Sequence, residues 1–359
     1  MRITFLLPAD DLSGGNRVVA TYAQHLQQRG HEVLVVSNAP DRPTWRQRLR
    51  ALRRGPSGRT GAPPPGHVAL SGVPHKVLAR PRPIRAADLP DADVLVATWW
   101  ETARWMHAMP LNKGRRLHLI QGYEVWNAGQ TVTRVRDTLG LPNRKIAISA
   151  ALAREIETEL GDLGIQVIPN AVDTQRFDAP PRARGEPPTV GFIYAGAPIK
   201  GADRCIEACR LARLQLPALR VLSFGTEAPS DLLPLPEGTE YFRQPAQELL
   251  PGLYARCDAW LFGSRRDSFG LPLLEAMACR TPVIAVPVGA APDLLAGGNG
   301  HLLTVATPEA MAEALLDLCL TPAADWAALS ERAHRRAHAY TWEDATSRLL
   351  EALKECDAP

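Results

Sequence analysis

The chain has 359 residues, 45% of them hydrophobic and 22% charged, with a formal net charge of +3. That length is more than one core usually holds and predicts two domains, while so small a net charge gives no electrostatic case for nucleic acid, for which no binding module is visible either. No apolar stretch approaches a membrane span and the opening Met1-Arg-Ile-Thr-Phe-Leu-Leu-Pro8 is too short for a signal sequence, so the expectation is a cytoplasmic protein.

Short apolar runs at residues 3–7, 33–37, 94–97, 117–120 and 145–148 read as strands with helices between several of them, which predicts a parallel α/β domain. The first run leads into Asp11-Leu-Ser-Gly-Gly-Asn-Arg17 and a helical pattern over residues 18–29 closed by Gly30. Gly14 and Gly15 would let backbone N–H groups approach a diphosphate closely, although a tight strand-to-helix connection explains them equally well. Residues 41–66 differ: seven arginines between Arg42 and Arg59, with Trp45 and Leu49, precede Gly-Pro-rich sequence. This segment reads either as a solvated insertion or as a basic flap for an anionic acceptor, such as a lipid-linked pyrophosphate sugar, or for the inner membrane surface.

Thr98-Trp-Trp-Glu-Thr102 and Gln121-Gly-Tyr-Glu-Val-Trp126 each follow a strand, at the carboxyl ends where open parallel sheets bind ligands. Trp99, Trp100 and Trp126 can stack on sugar rings or a lipid, and Glu101 and Glu124, with Gln121 beside them, can bind hydroxyls. The alternative is that these aromatics cap the core. Prolines and charges over residues 177–188 mark a linker, after which a second series of apolar runs begins at 190–194, 219–224, 259–262, 283–286 and 301–303. The domains are therefore expected at residues 1–178 and 189–340, followed by an amphipathic helix over 341–357. Six scattered cysteines, at 205, 209, 257, 279, 319 and 356, read as small buried thiols, with no ligand set for a metal.

The stretch Asp267-Ser-Phe-Gly-Leu-Pro-Leu-Leu-Glu275 places two carboxylates eight residues apart around a turn that opens a helix. Ser268, Phe269 and Gly270 form the turn and Pro272 suits the helix start, whose N–H groups and dipole favour a phosphate. Asp267 and Glu275 can accept hydrogen bonds from vicinal hydroxyls. The ordinary alternative is a capped helix with an interior glutamate.

This stretch resembles the E-x7-E signature of the retaining glycosyltransferases of family GT4, with Asp267 at its first position. The resemblance extends over nearly the whole chain and is strongest to the rhamnosyltransferase-like branch, whose Trp-rich loops are similar to those here. It implies a GT-B fold, with two Rossmann-like domains facing across a cleft and the last helix returning to the first domain. By the same resemblance Gly14, Gly15, Ser268, Phe269, Gly270 and Leu271 bind the donor, and Lys200, Asp267 and Glu275 are the catalytic group. Asn170-Ala-Val-Asp173 with Phe177 corresponds to a turn that seats the linker. Ala195 stands where the family carries an arginine, a role that Arg265 or Arg266 would have to fill, and Gln121 stands where many members have histidine. No Asp-x-Asp with metal-ligand character occurs, so a metal-independent enzyme is implied, using a nucleotide-sugar donor and a glycan, glycolipid or small-molecule acceptor, with front-face attack. A non-catalytic nucleotide-sugar binder or scaffold subunit is the alternative, favoured by the departures at Asp267 and Ala195.

Overall fold

A computed structural model describes residues 1–39, 65–125 and 130–354. Nearly all of the arginine-rich segment, and Trp126, therefore lie outside the described residues. The chain divides into two compact units, each built on a parallel sheet, as the GT-B expectation requires.

The first unit holds β1 (Arg2–Ala9), β2 (Glu32–Asn38), β3 (His75–Val77), β4 (Val94–Ala97), β5 (Arg115–Ile120), β6 (Arg144–Ala147) and β7 (Gln166–Val167), in the order β3-β2-β1-β4-β5-β6-β7. The second holds β8 (Thr189–Ile193), β9 (Arg220–Gly225), β10 (Glu240–Arg243), β11 (Ala259–Phe262), β12 (Val283–Ala285) and β13 (His301–Leu302), in the order β10-β9-β8-β11-β12-β13. Every pairing is parallel, and central strands such as β4 and β11 are buried along their whole length because helices cover both faces. Both sheets reverse direction of strand order beside their first strand, β1 against β4 and β8 against β11. Such switch points open a crevice at the strand carboxyl ends, the place where this architecture binds ligands. Among the described residues no helix is long and apolar enough to cross a membrane.

Residues 149–154 and 169–345 group as the second unit, so the stretch 177–188 that the sequence reads as a linker packs with that unit. The physical reason is that residues 169–188 are bound to the second unit by their polar groups. Asp258, 2% exposed, accepts from the Gly185 amide at 2.9 Å, the Thr189 amide at 2.8 Å and Arg182 Nη1 at 2.6 Å. The Arg182 guanidinium also lies over the buried Trp326 ring, 4.9 Å from its centroid, and Arg184 donates to the Thr321 carbonyl at 2.6 Å. Upstream, the Phe177 amide donates to the Asp173 carbonyl at 2.7 Å, closing a turn that buries the Phe177 ring against Tyr254. The final helix, Trp342–Lys354, straddles the division, with residues from 346 onward assigned to the first unit.

Asp258 gives a direct check. Asp258→Ala should lower the unfolding free energy in denaturant titrations by about 3–5 kcal/mol, because it strips a mostly buried Arg182 and two amides of their acceptor. A change within experimental error would mean that the segment is held by other contacts.

Candidate functional site

In the second unit the loops leaving β8 and β11 are stitched together. Gly201 sits in the left-handed region at φ +64°, and a Cβ there would stand 1.9 Å from the Gly263 carbonyl oxygen. The Arg265 amide donates to the Ile199 carbonyl at 2.8 Å, and Arg204 Nη1 to the Gly263 carbonyl at 2.7 Å. This contact brings two of the sequence-predicted catalytic residues side by side. Lys200 closes a 3-10 turn, Pro198–Lys200, and its Nζ donates to Asp267 Oδ2 at 3.1 Å. Lys200 is half-exposed at 49% and Asp267 much less so at 18%. Asp267 Oδ1 also accepts from the Phe269 amide at 3.2 Å, so the carboxylate folds back on the turn that it precedes.

That turn is held on three sides. Ser149 Oγ donates to the Ser268 carbonyl at 2.7 Å, the Ala290 amide donates to the Phe269 carbonyl at 2.9 Å, and the Phe269 ring is buried. Gly270 adopts φ +92° as N-cap of the helix Leu271–Ala278, which has Pro272 at its second position, where the sequence expects the first. The amides of Leu273 and Leu274 both turn to the Gly270 carbonyl, at 3.0 and 3.4 Å. The Gly270 and Leu271 amides carry no hydrogen bond among the described residues and supply the orphan donors of a helix start. Glu275 lies within this helix at 4% exposure, and Tyr254 donates its hydroxyl to Glu275 Oε2 at 2.8 Å. Tyr254 is itself packed against Phe224 and Trp260, which fixes that hydroxyl.

The two arginines beside the turn are placed differently. Arg265 forks onto Asp203 at 2.7 and 2.6 Å and donates to the Pro198 carbonyl at 2.7 Å. It braces the Lys200 turn, and Asp203 holds the guanidinium pKa above its ordinary value. Arg266 is half-buried next to it. At the position of the missing family arginine, the Gly196 amide beside Ala195 donates to Glu227 Oε2 at 3.0 Å, so a carboxylate approaches that loop.

In the first unit Gly14 and Gly15 open the helix Gly14–Gln28, with Ser13 Oγ accepting from the Asn16 amide at 3.4 Å. Asn16 Nδ2 donates to the Ala9 carbonyl and to Asp11 Oδ1, both at 2.8 Å, and so shapes the loop from inside. The Gln121 carboxamide covers Gly15, 3.4 Å from where a Cβ would be, and its buried Oε1 has no hydrogen-bond partner among the described residues. Trp100 is 9% exposed and packs as part of the core, as the core-capping alternative expects; Trp99 and Glu101 are half-buried at the β4 carboxyl end, and Glu124 is buried. Tyr254, Ser149 and Asn16 were not predicted. Tyr254 and Ser149 act on partners remote in the chain, which leaves no local motif, whereas Asn16 and its partner Asp11 stand close together in the sequence after β1.

Two family models match the chain: "Glycosyltransferase Family 4" over residues 12–176 and "Glycosyl transferases group 1" over residues 173–338. Among curated proteins, the D-inositol 3-phosphate glycosyltransferase of Salinispora arenicola is 27% identical over 59% of this chain and 56% of its own length. The protein of the same name from Kineococcus radiotolerans is 29% identical over 71% of this chain and 68% of its own. The chain spans about half the length of the first curated relatives it matches, 56%, 52% and 51%. Among solved structures, Anabaena HepE in complex with UDP and glucose superposes with TM-score 0.74 at 17% identity, over 99% of both chains. Sucrose-phosphate synthase from Thermosynechococcus elongatus follows with TM-score 0.71 at 18% identity, over 99% of this chain and 98% of its own. At such identities the structures speak to the fold alone.

The Tyr254–Glu275 bond lies in the interior and is testable without substrate. Tyr254→Phe should keep the fold and lower the unfolding free energy by about 1.5–3 kcal/mol, the cost of taking a donor from a buried charged acceptor. Equal stability of variant and parent would show that the hydroxyl does not hold the carboxylate.

Proposed function

The chain belongs to glycosyltransferase family 4, and from that premise we propose that it is a retaining glycosyltransferase moving a sugar from a nucleoside-diphosphate donor to a hydroxyl of a glycan, glycolipid or small-molecule acceptor. The observation that carries this reading is the Lys200–Asp267 pair at 3.1 Å, set at the switch point of the second sheet beside an open helix start. A lysine ammonium has three donors, and Asp267 takes one. The others suit the diphosphate, whose charge grows as its bond to the anomeric carbon breaks. The Gly270 and Leu271 amides add the positive end of the helix dipole. Together these groups do what a divalent cation would do, which supports a metal-independent reaction.

Asp267 holds Lys200 in place and keeps lone pairs for a sugar hydroxyl, while Glu275, oriented by Tyr254, serves as the second hydroxyl acceptor. In a front-face reaction the acceptor oxygen bonds to the anomeric carbon as the carbon–phosphate-oxygen bond breaks. The acceptor proton passes to the departing phosphate oxygen, so no protein base is required. The five described cysteines are buried free thiols, which supports placing the reaction in a reducing, cytoplasmic compartment.

The donor to test first is UDP-glucose, with which HepE has been solved, and an inositol phosphate is the acceptor suggested by the names of the relatives. Deoxyhexose donors test the rhamnosyltransferase-like branch. A second reading, a nucleotide-sugar binder without turnover, is favoured by one observation: Glu227 and Ala195 replace an expected cation with a nearby anion.

Nucleoside diphosphate released from a donor panel separates the readings, since a binder retains donor and releases none. In the enzyme, Glu275→Gln should reduce turnover roughly tenfold or more while the fold survives, because it weakens a charge-assisted hydrogen bond while preserving shape. Lys200→Ala should lower kcat more than it raises the donor KM. Full turnover in both variants would remove the site assignment, and loss of activity in EDTA restored by magnesium would remove the metal-independent mechanism.

A further inference from the structure

The helix Ala323–His338 carries His334 and His338 one turn apart, so both imidazoles leave the same face, with ring centroids 3.9 Å apart. Asp178, far upstream in the segment that follows the unit boundary, reaches the same point. Its Oδ1 lies 2.8 Å from His334 Nε2 and 3.7 Å from His338 Nε2, and one ligand atom from each of the three residues lies within 4.8 Å of the others. We propose that Asp178, His334 and His338 form a binding site for a zinc-class divalent metal, with the fourth position open to water.

Three features carry the assignment. First, the spacing fits. Zinc–nitrogen bonds of about 2.0–2.1 Å and zinc–oxygen bonds of about 2.0–2.2 Å in a tetrahedron put ligand atoms roughly 3.4 Å apart, and the observed 2.8 and 3.7 Å bracket that value. Second, the tautomer of His338 is fixed for ligation. Its Nδ1 lies 3.0 Å from the His334 carbonyl, which only accepts, so Nδ1 carries the proton and Nε2 presents a lone pair to the site. Third, the donor set is two imidazoles and one carboxylate, which selects zinc, nickel or cobalt over magnesium or calcium. The neighbouring cation Arg280 is compensated by Glu331 and donates to the Ala179 carbonyl at 2.7 Å, so it does not oppose a second positive charge unchecked.

Metal here would replace the His334–Asp178 hydrogen bond with coordinate bonds. The residues just after the unit boundary would then be tied to the helix by three ligands, and the folded state would be favoured by mass action. The site takes no part in the chemistry proposed for Lys200 and Glu275.

The full chain, stripped with EDTA and desalted, is titrated with zinc alone against a chromophoric chelator, and thermal midpoints are read with zinc and with magnesium. One zinc per chain should bind, and the midpoint should rise with zinc and not with magnesium. His338→Gln and Asp178→Asn each remove a ligand and should weaken binding by at least the 10–100-fold typical of losing a mere outer-shell partner, about tenfold or more, and abolish the rise. Asp178 is exposed, so Asp178→Asn serves if His338→Gln fails to fold. Undiminished zinc binding in these variants, no zinc bound by the parent, or an equal rise with magnesium would each overturn the site and leave the cluster as a hydrogen-bonded anchor.

Discussion

The meeting of two backbones at Gly201 and Gly263 is the constraint on which the second unit's site depends. A side chain at either position has nowhere to go: a Cβ on Gly201 would stand 1.9 Å from a carbonyl oxygen, and one on Gly263 would meet Cys205 Sγ at 2.7 Å and the Gly201 carbonyl at 2.8 Å. Real Cβ contacts are never so short, so only glycine lets the loop after β8 lie against the loop after β11. Everything that follows is geometry. Arg265 can bond to Ile199 and Asp203, Lys200 can reach Asp267, and the Ser268–Gly270 turn is held at a fixed place beside the lysine. The switch point of the sheet opens the crevice, and the glycine contact furnishes it.

Much of this was legible in the sequence. The two series of apolar runs correspond to ten of the strands, because strands covered on both faces must be apolar throughout. β3, β7 and β10 escaped because His-Lys-Val, Gln-Val and Glu-Tyr-Phe-Arg are short and half polar, as edge strands can be. The Asp267–Glu275 motif was visible as a turn opening a helix, since Gly270 and Pro272 are local signals. The pairing of Lys200 with Asp267 was not, because 67 residues separate them and only the fold makes them neighbours. Trp100 illustrates the same limit: a tryptophan after a strand reads alike whether its ring faces ligand or core, and here it faces the core.

The segment 177–188 shows why composition alone does not say which unit a linker packs on. Its charges and prolines cannot enter an apolar core, yet Asp258, buried and otherwise costly, gives Arg182 and two amides a common acceptor. Polar satisfaction therefore binds the segment to the second unit.

Two cations of the β8–β11 region, Arg265 and Lys200, differ in how tightly they are held. Arg265 makes a forked pair with Asp203, a geometry that a planar guanidinium keeps and a mobile anion would have to break. Lys200 makes a single contact with Asp267 from a half-exposed position, a kind of pair worth only about 0–1 kcal/mol. In the proposed reaction a diphosphate would engage the remaining donors of that loosely held ammonium at little cost, while Asp267 keeps lone pairs for the donor sugar. Alanine stands at position 195, and Glu227 brings a carboxylate to the same loop. The electrostatic demand of the proposed reaction thus falls on Lys200 and on the helix amides, and the arginine keeps the loop in shape for them.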